Sequence, residues 1–126
     1  MGKYAIREDF YRLRHFKPPF NPTMLRLSHF FMRIMWRTTA VPGDIVSEKR
    51  TIAHGQNPKI QIELFQPADL QARMPCLVYF HGGAFAMMGA PYHKQLAYAY
   101  ARGCGCKVVY VDYTLAFKAP FPAALE

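Results

Sequence analysis

Two unbroken runs of β-forming residues with a helical segment between them constrain the fold of this chain most strongly. The runs are CLVYF at 76–80 and KVVYVD at 107–112, a pattern typical of strands covered on both faces of a sheet. Between them, PYHKQLAYAYARG places Pro91 in the first turn of a helix and Gly103 just past its end. This order predicts two parallel strands joined by a right-handed crossover, so the second half of the chain is expected to be α/β.

A further strand is predicted immediately upstream of these two. The segment KIQIELF at 59–65 alternates apolar and polar residues, which puts Ile60, Ile62 and Leu64 on one face. This alternation predicts a half-buried strand of the same sheet.

The first 43 residues have a different character, with two predicted helices at 4–16 and 24–37. The second helix carries a basic stripe at helical spacing, formed by Arg26, His29, Arg33 and Arg37, and its other faces are apolar. Such a helix can lie on a membrane surface, or it can pack on its own protein with the arginines outward. The net charge of +8 raises nucleic acid as a partner, but no recognised binding motif accompanies it, so none is predicted.

Several classes of protein are not favoured by this sequence. No apolar run approaches the ~18 residues of a membrane span, and the charged N-terminus MGKYAIREDF has no signal-peptide layout. A cytoplasmic location is therefore predicted. The three cysteines are an odd number, and Cys104-Gly-Cys106 has neither redox-motif nor zinc-site spacing. We expect reduced, buried thiols, with no metal and no cofactor.

The strand at 76–80 runs directly into His81-Gly82-Gly83, at the edge of the sheet where α/β proteins bind ligands. The glycines match neither the G-x-G-x-x-G dinucleotide pattern nor a Gly-Lys-Ser/Thr phosphate loop. Two interpretations remain. The turn is either an oxyanion hole, whose backbone N–H groups face a carbonyl oxygen gaining charge, or only a tight connection.

Two stretches in the right order and separation resemble a known family. YFHGGAF followed by VVYVDYTLAFKAPFPAALE is similar to the hormone-sensitive-lipase-like branch of the α/β-hydrolase esterases. That branch has a His-Gly-Gly-Gly-Phe loop, then a strand leading into Asp-Tyr-Arg-Leu-Ala-Pro and Pro-Phe-Pro-Ala-Ala. The resemblance implies a helical cap-like segment over residues 1–43. It also implies the N-terminal part of a mixed α/β-hydrolase sheet over residues 44–126, ending before the nucleophile elbow.

The resemblance also implies roles for individual residues. Gly82, Gly83 and Ala84 correspond to the oxyanion loop, with the amides of Gly83 and Ala84 as the donors. Ala84 stands where the family has its third glycine, which is compatible with the loop if its φ is negative.

Three further residues correspond to supporting positions of the family. His81 corresponds to the residue that anchors the loop, and Asp112 and Tyr113 correspond to the strand-end pair that supports the site. No nucleophile, acid or base is identified, because G-x-S-x-G does not occur and the two serines, Ser28 and Ser47, precede the whole α/β unit. His93 follows the loop and is expected to be solvated on a helix surface.

Two functional hypotheses follow from these observations. The first is a serine hydrolase of carboxylic esters that takes a small-molecule acyl ester, with this chain supplying the oxyanion hole and inactive by itself. The second is a non-catalytic product that binds a membrane surface or a protein through its basic helix. In either case, an exposed sheet edge predicts a dimer or an aggregate.

Overall fold

The computed structural model describes Glu8, Tyr11 and residues 21–53, 59–69 and 73–125. The helix predicted at 4–16 lies outside these ranges apart from its two isolated residues. The described helices and strands are, in chain order, α1 (Pro22–Thr38), β1 (Ile45–Ile52), β2 (Ile60–Pro67), β3 (Cys76–Phe80), α2 (Pro91–Cys104) and β4 (Lys107–Asp112).

The four described strands form one mixed sheet in the order β1-β2-β4-β3. β1 and β2 pair antiparallel, β2 and β4 pair antiparallel, and β3 and β4 pair parallel. This confirms the predicted α/β class and the parallel pair joined by a helix. Because Phe80 lies opposite Val111, the residues that follow both strands emerge together at one edge of the sheet.

α2 covers one face of the sheet and forms the larger apolar core with it. Ala97 and Ala101 are fully buried, and their small side chains let the helix lie close to Phe65 and Val108, which are also fully buried. The helix begins at Pro91, as predicted, but it continues through Cys104. Gly105 rather than Gly103 ends it, because only Gly105 takes the left-handed conformation, at φ 54°.

The other face of the sheet is covered less completely, and this corrects one prediction. β4 has a buried core, as expected, but β3 is exposed, with Val78 at 53% and Phe80 at 64% of their full exposure. Among the described residues β3 is the last strand of the sheet. Its unbroken apolar sequence indicated burial on both faces, whereas no described helix covers the face that contains Val78 and Phe80.

α1 begins at an Asn21 cap, whose side-chain oxygen accepts a hydrogen bond from the Met24 N–H at 2.7 Å. The predicted helix is confirmed, but its orientation differs from the expected one. The face with the basic stripe contacts the protein, because His29 is buried and Trp36 packs on Tyr110 with ring centroids 4.7 Å apart. Six apolar residues instead remain exposed: Met24, Leu27, Phe30, Phe31, Ile34 and Met35.

The three cysteines are free, as expected, but only Cys106 is buried, whereas Cys76 and Cys104 are exposed. Within the described ranges, no three His, Cys, Asp or Glu side chains are grouped so that they could hold a metal ion. None of the described helices is both long enough and apolar enough to cross a membrane.

Candidate active site

The turn after β3 has a strained backbone that begins at a glycine. Gly83 has φ 135°, and a Cβ there would lie 2.7 Å from the Met87 carbonyl oxygen, so the position accepts only glycine. The Gly83 carbonyl accepts hydrogen bonds from the Ala86 and Met87 amides, at 3.0 Å and 2.9 Å. These bonds close the turn on itself.

Ala84 does not meet the condition of a negative φ under which it was expected to be compatible with the family's loop. Its φ is 51°, and that of Phe85 is 57°, so two consecutive non-glycine residues are left-handed. A left-handed L-residue costs about 1–2 kcal/mol because Cβ crowds the carbonyl oxygen. The Phe85 carbonyl accepts a hydrogen bond from the Ala116 amide at 2.8 Å, which ties the turn to the segment after β4 and helps to hold this conformation.

The amides that the family resemblance identifies as donors have no acceptor inside the described part of the chain. No described protein group accepts a hydrogen bond from the Gly83 or Ala84 N–H. Gly83 is half-buried and Ala84 is exposed. Two such N–H groups at the carboxyl end of a strand are chemically suited to binding an oxygen that carries negative charge.

His81 lies beneath this turn, 3% exposed, between two tyrosine rings. Its ring stacks on Tyr113 at 4.4 Å and on Tyr110 at 5.5 Å between centroids. Its Nδ1 lies 2.8 Å from the Gly82 carbonyl oxygen, and the Tyr113 hydroxyl donates to the His81 carbonyl oxygen at 2.7 Å. A carbonyl can only accept, so Nδ1 carries the proton in this contact.

Asp112 and Tyr113 are adjacent in sequence but have different surroundings. Tyr113 is buried, and burial together with the charge of Asp112 raises the pKa of its hydroxyl. The hydroxyl therefore remains a hydrogen-bond donor at neutral pH. Asp112 is exposed and lines a cleft beside α1.

His93 is buried at 5% exposure, so the prediction of a solvated histidine is wrong. It is the third residue of α2, and its Nδ1 accepts a hydrogen bond from the Ala90 amide at 3.0 Å. Its ring lies 5.6 Å from that of His81. Burial lowers the pKa of His93, and the nearby His81 acts in the same direction. The signal in the sequence for this contact was the position of His93, three residues after Ala90, because a side chain at that spacing can accept a hydrogen bond from the amide of the residue that caps the helix.

A buried ion pair was also missed by sequence reasoning. Glu63 and Lys94 are 6% and 4% exposed, with Nζ 3.7 Å from Oε1. The same carboxylate accepts hydrogen bonds from Trp36 Nε1 at 3.0 Å and Ser47 Oγ at 2.9 Å. The alternating pattern of β2 indicated that Glu63 faces solvent, but α1 and α2 both cover that face.

A cleft of about 280 Å³ lies between α1 and the edge of the sheet where β4 ends. Its lining includes Trp36, Tyr110 and Asp112, together with Met88 and Gly89, which directly follow the turn. Gly82, Gly83 and Ala84 do not line it. The cleft and the turn are therefore neighbouring sites rather than one site.

Comparisons with known proteins agree with this fold. Residues 77–126 match the profile of a family described as having the alpha/beta hydrolase fold. The chain is 34% identical over 79 residues to Carboxylesterase NlhH of Mycobacterium tuberculosis, a match that covers 63% of this chain. It is 28% identical over 105 residues to the hormone-sensitive lipase of Ictidomys tridecemlineatus, covering 83% of this chain. An esterase structure from Pyrobaculum calidifontis superimposes with a TM-score of 0.70 at 28% identity over 97% of this chain.

These relatives are longer than the chain. The matches cover 25% of the carboxylesterase, 13% of the hormone-sensitive lipase and 40% of the Pyrobaculum calidifontis esterase. The structural likeness therefore extends over nearly all of this chain and over less than half of the relative.

Proposed function

We propose that this chain, whose residues 77–126 match the α/β-hydrolase profile and which resembles hormone-sensitive lipase and carboxylesterases, supplies the oxyanion hole of a carboxylic-ester hydrolase. The substrate is a small-molecule acyl ester. The observation that carries the proposal is that the Gly83 and Ala84 amides, in the turn after β3, have no acceptor among the described residues.

The proposed chemistry follows from the lack of an acceptor for these two donors among the described residues. When a nucleophile adds to the ester carbonyl, its oxygen gains negative charge, and two preoriented N–H groups stabilise that charge. The 126 residues contain no G-x-S-x-G sequence, so the proposal assigns the nucleophile, acid and base to residues outside them. The chain alone is then inactive.

The residues beneath the turn have positioning roles in this proposal. His81 holds the Gly82 carbonyl, and Tyr113 holds the His81 carbonyl. These two bonds fix the backbone on the strand side of the donors. Asp112 borders the neighbouring cleft, and the helical segment within residues 1–43 forms a cap over it.

The experiment joins residues 1–126 to the part of the Pyrobaculum calidifontis esterase that follows its matched region, and measures hydrolysis of p-nitrophenyl acetate. We expect activity in this chimera and none above a heat-treated control in the 126-residue chain. Gly83→Ala should lower kcat about 10²-fold, because a Cβ at this position displaces the turn and its donors.

Gly103→Ala is the matched control, because it adds the same Cβ on α2, outside the turn, where that Cβ meets nothing within 4 Å. It should change kcat by no more than a few-fold. Equal activity of the Gly83→Ala chimera and its parent would contradict the assignment of this turn as the oxyanion hole.

A second candidate function rests on the exposed apolar face of α1. Phe30 and Phe31 are 59% and 55% exposed, next to Arg26 and Arg33 on the same helix. A helix that exposes large apolar side chains beside arginines can lie on an anionic membrane surface or bind a partner protein. In that case the chain has a non-catalytic role.

Co-sedimentation with phosphatidylserine vesicles at physiological salt tests this second function. The membrane role predicts binding that is lost in Phe30→Ser/Phe31→Ser and retained in Val46→Ser, an apolar position on β1 that is 45% exposed. Absence of the parent chain from the vesicle pellet would exclude the membrane role. The proposed cytoplasmic location is compatible with either function.

A further inference from the structure

The lining of the cleft beside α1 carries more positive than negative charge. Its lining contains four cationic side chains, namely Arg33 and Arg37 from α1, Lys49 from β1 and Lys118 from the segment after β4. It contains two carboxylates, Glu63 and Asp112. The lining therefore carries an excess of two positive charges.

The charge that a ligand would meet is more positive than this count, because the Glu63 carboxylate is already bound by other side chains of the protein. Its two oxygens are held by Trp36, Ser47 and Lys94, none of which is exposed. Between described residues, no carboxylate lies within 4.0 Å of any of the four cations. His29, at the end of the cleft, adds little charge, because burial and the nearby Arg33 lower its pKa.

An aromatic wall also lines the cleft. Trp36 and Tyr110 pack with centroids 4.7 Å apart, and the bond from Trp36 Nε1 to Glu63 fixes the indole. The Tyr110 hydroxyl is buried and has no hydrogen-bond partner among the described residues. It points at Gly89, since a Cβ there would lie on top of the hydroxyl. The cleft thus combines a flat apolar surface with cations.

We propose that this cleft binds the ionised acid group of a half-ester, so that the substrates are esters of dicarboxylic acids with one free carboxylate. The arginines hold the carboxylate, and the aromatic wall packs against the carbon chain. The volume of about 280 Å³ lies near the lower end of small-ligand pockets, which begin at about 300 Å³, and this suits a short diacid. The assignment of the bound molecule as a substrate rests on the proposed ester hydrolase function, whereas carboxylate binding does not.

The position of the cleft supports a link to the candidate oxyanion hole. Met88 and Gly89 line the cleft and continue directly from the turn that begins at Gly83. The Met88 amide donates to His29 Nε2 at 3.4 Å, which connects the loop to α1. A ligand with its carboxylate in the cleft therefore lies beside the loop that would receive its ester group.

The 126-residue chain itself provides the test, because Trp36 is its only tryptophan. Its fluorescence is measured during titration with monomethyl succinate and, separately, with dimethyl succinate, which has the same chain and no charge. We expect saturable quenching by the half-ester and none at the same concentrations by the diester. Added salt should weaken the binding, because the cations are exposed. Equal responses to the two compounds, or none to either, would overturn the proposal.

Two variants of α1 locate the bound carboxylate. Arg37→Gln, which lies in the cleft, should weaken binding of monomethyl succinate about five- to tenfold. Arg26→Gln removes the same charge from the same helix outside the cleft and should leave the affinity unchanged. If both variants weaken binding equally, the half-ester responds only to general surface charge and the proposal fails.

The two proposals fail in different experiments. Hydrolysis of p-nitrophenyl acetate by the chimera needs no second carboxylate, so its loss in Gly83→Ala tests the oxyanion hole alone. Fluorescence of the isolated chain tests the cleft alone. Inorganic phosphate is the remaining probe: binding as tight as that of the half-ester would identify a general anion site and overturn the half-ester assignment.

Discussion

Ala84 has a left-handed backbone that an alanine adopts at a cost. Its φ is 51°, so its Cβ crowds the carbonyl oxygen, a contact that a glycine at this position would not make. Ala84→Gly should therefore raise the free energy of unfolding by about 1 kcal/mol, after allowing for the greater freedom of glycine in the unfolded chain. Urea denaturation followed by circular dichroism measures this. A decrease in stability would show that the methyl group has stabilising contacts that outweigh the strain.

At this scale the sequence indicated where the turn lies, and it did not predict the backbone angles of the turn. Gly83 was recognisable because its pattern recurs in a family. The φ of Ala84 was not, because it depends on Met87 folding back on Gly83 and on Ala116 bonding to Phe85. His93 was placed on the wrong side of α2, since only the described fold shows which helix face meets His81.

The buried Glu63–Lys94 pair connects four elements of the fold. Glu63 lies on β2 and Lys94 on α2, and the carboxylate also binds Trp36 of α1 and Ser47 of β1. Removing one partner of a buried pair leaves the other charge without compensation and costs about 3–5 kcal/mol. Lys94→Met should therefore destabilise the chain by about 3 kcal/mol or more.

The double variant Glu63→Gln/Lys94→Met removes both charges and keeps an oxygen that can accept from Trp36 and Ser47. It should recover most of the lost stability in urea denaturation. Glu48→Gln is the control, because its pair with Arg50 is exposed and contributes little. If the single and double variants are equally unstable, the ion pair is not what connects these elements.

Two of the three histidines that are buried in the described part of the chain make the stability of these elements depend on pH. Burial lowers the pKa of both His29 and His93 below the ordinary value of 6.5. The unfolded chain then binds more protons than the folded chain, so stability is full above pH 6.5 and falls as the pH drops below it. The pKa values of Asp44 and Glu48 are also lowered, but these carboxylates affect the stability only at lower pH, where they become protonated.

Urea denaturation at pH 7.5 and pH 5.5 measures this effect. His93→Asn, whose side-chain oxygen can accept the Ala90 hydrogen bond in place of Nδ1, should show a smaller difference between the two pH values than the parent. A difference that is unchanged in His93→Asn and in His29→Asn would contradict a histidine origin.

For the molecule as a whole, the order of elements was predictable and the exposure of the sheet was not. The crossover from β3 through α2 to β4 follows from chirality and chain length, which act locally. Burial of β3 depends on what covers it, and sequence alone does not contain that information. β1 was missed for a related reason. Its sequence, IVSEKRTI, does not alternate apolar and polar residues clearly, because only Ile45 among its residues is buried and the others need not be apolar.

The exposed side of β3 makes self-association the expected behaviour of the chain in solution. Val78 and Phe80 project from the face shared with Val109 and Val111, and β3 has no described neighbour on its outer side. Unpaired backbone groups beside exposed apolar side chains favour pairing with another copy. Sedimentation velocity should therefore show an average mass that rises with concentration.

Substitutions can separate this face from the rest of the surface. Phe80→Ser/Val78→Thr should shift the association to concentrations at least tenfold higher, because it removes most of the apolar area that a second copy would cover. Phe30→Ser/Phe31→Ser on α1 is the comparison, since these rings are similarly exposed on a different surface. If the α1 substitutions abolish association and those on β3 do not, the copies meet through the helix and the sheet face is not the site of contact.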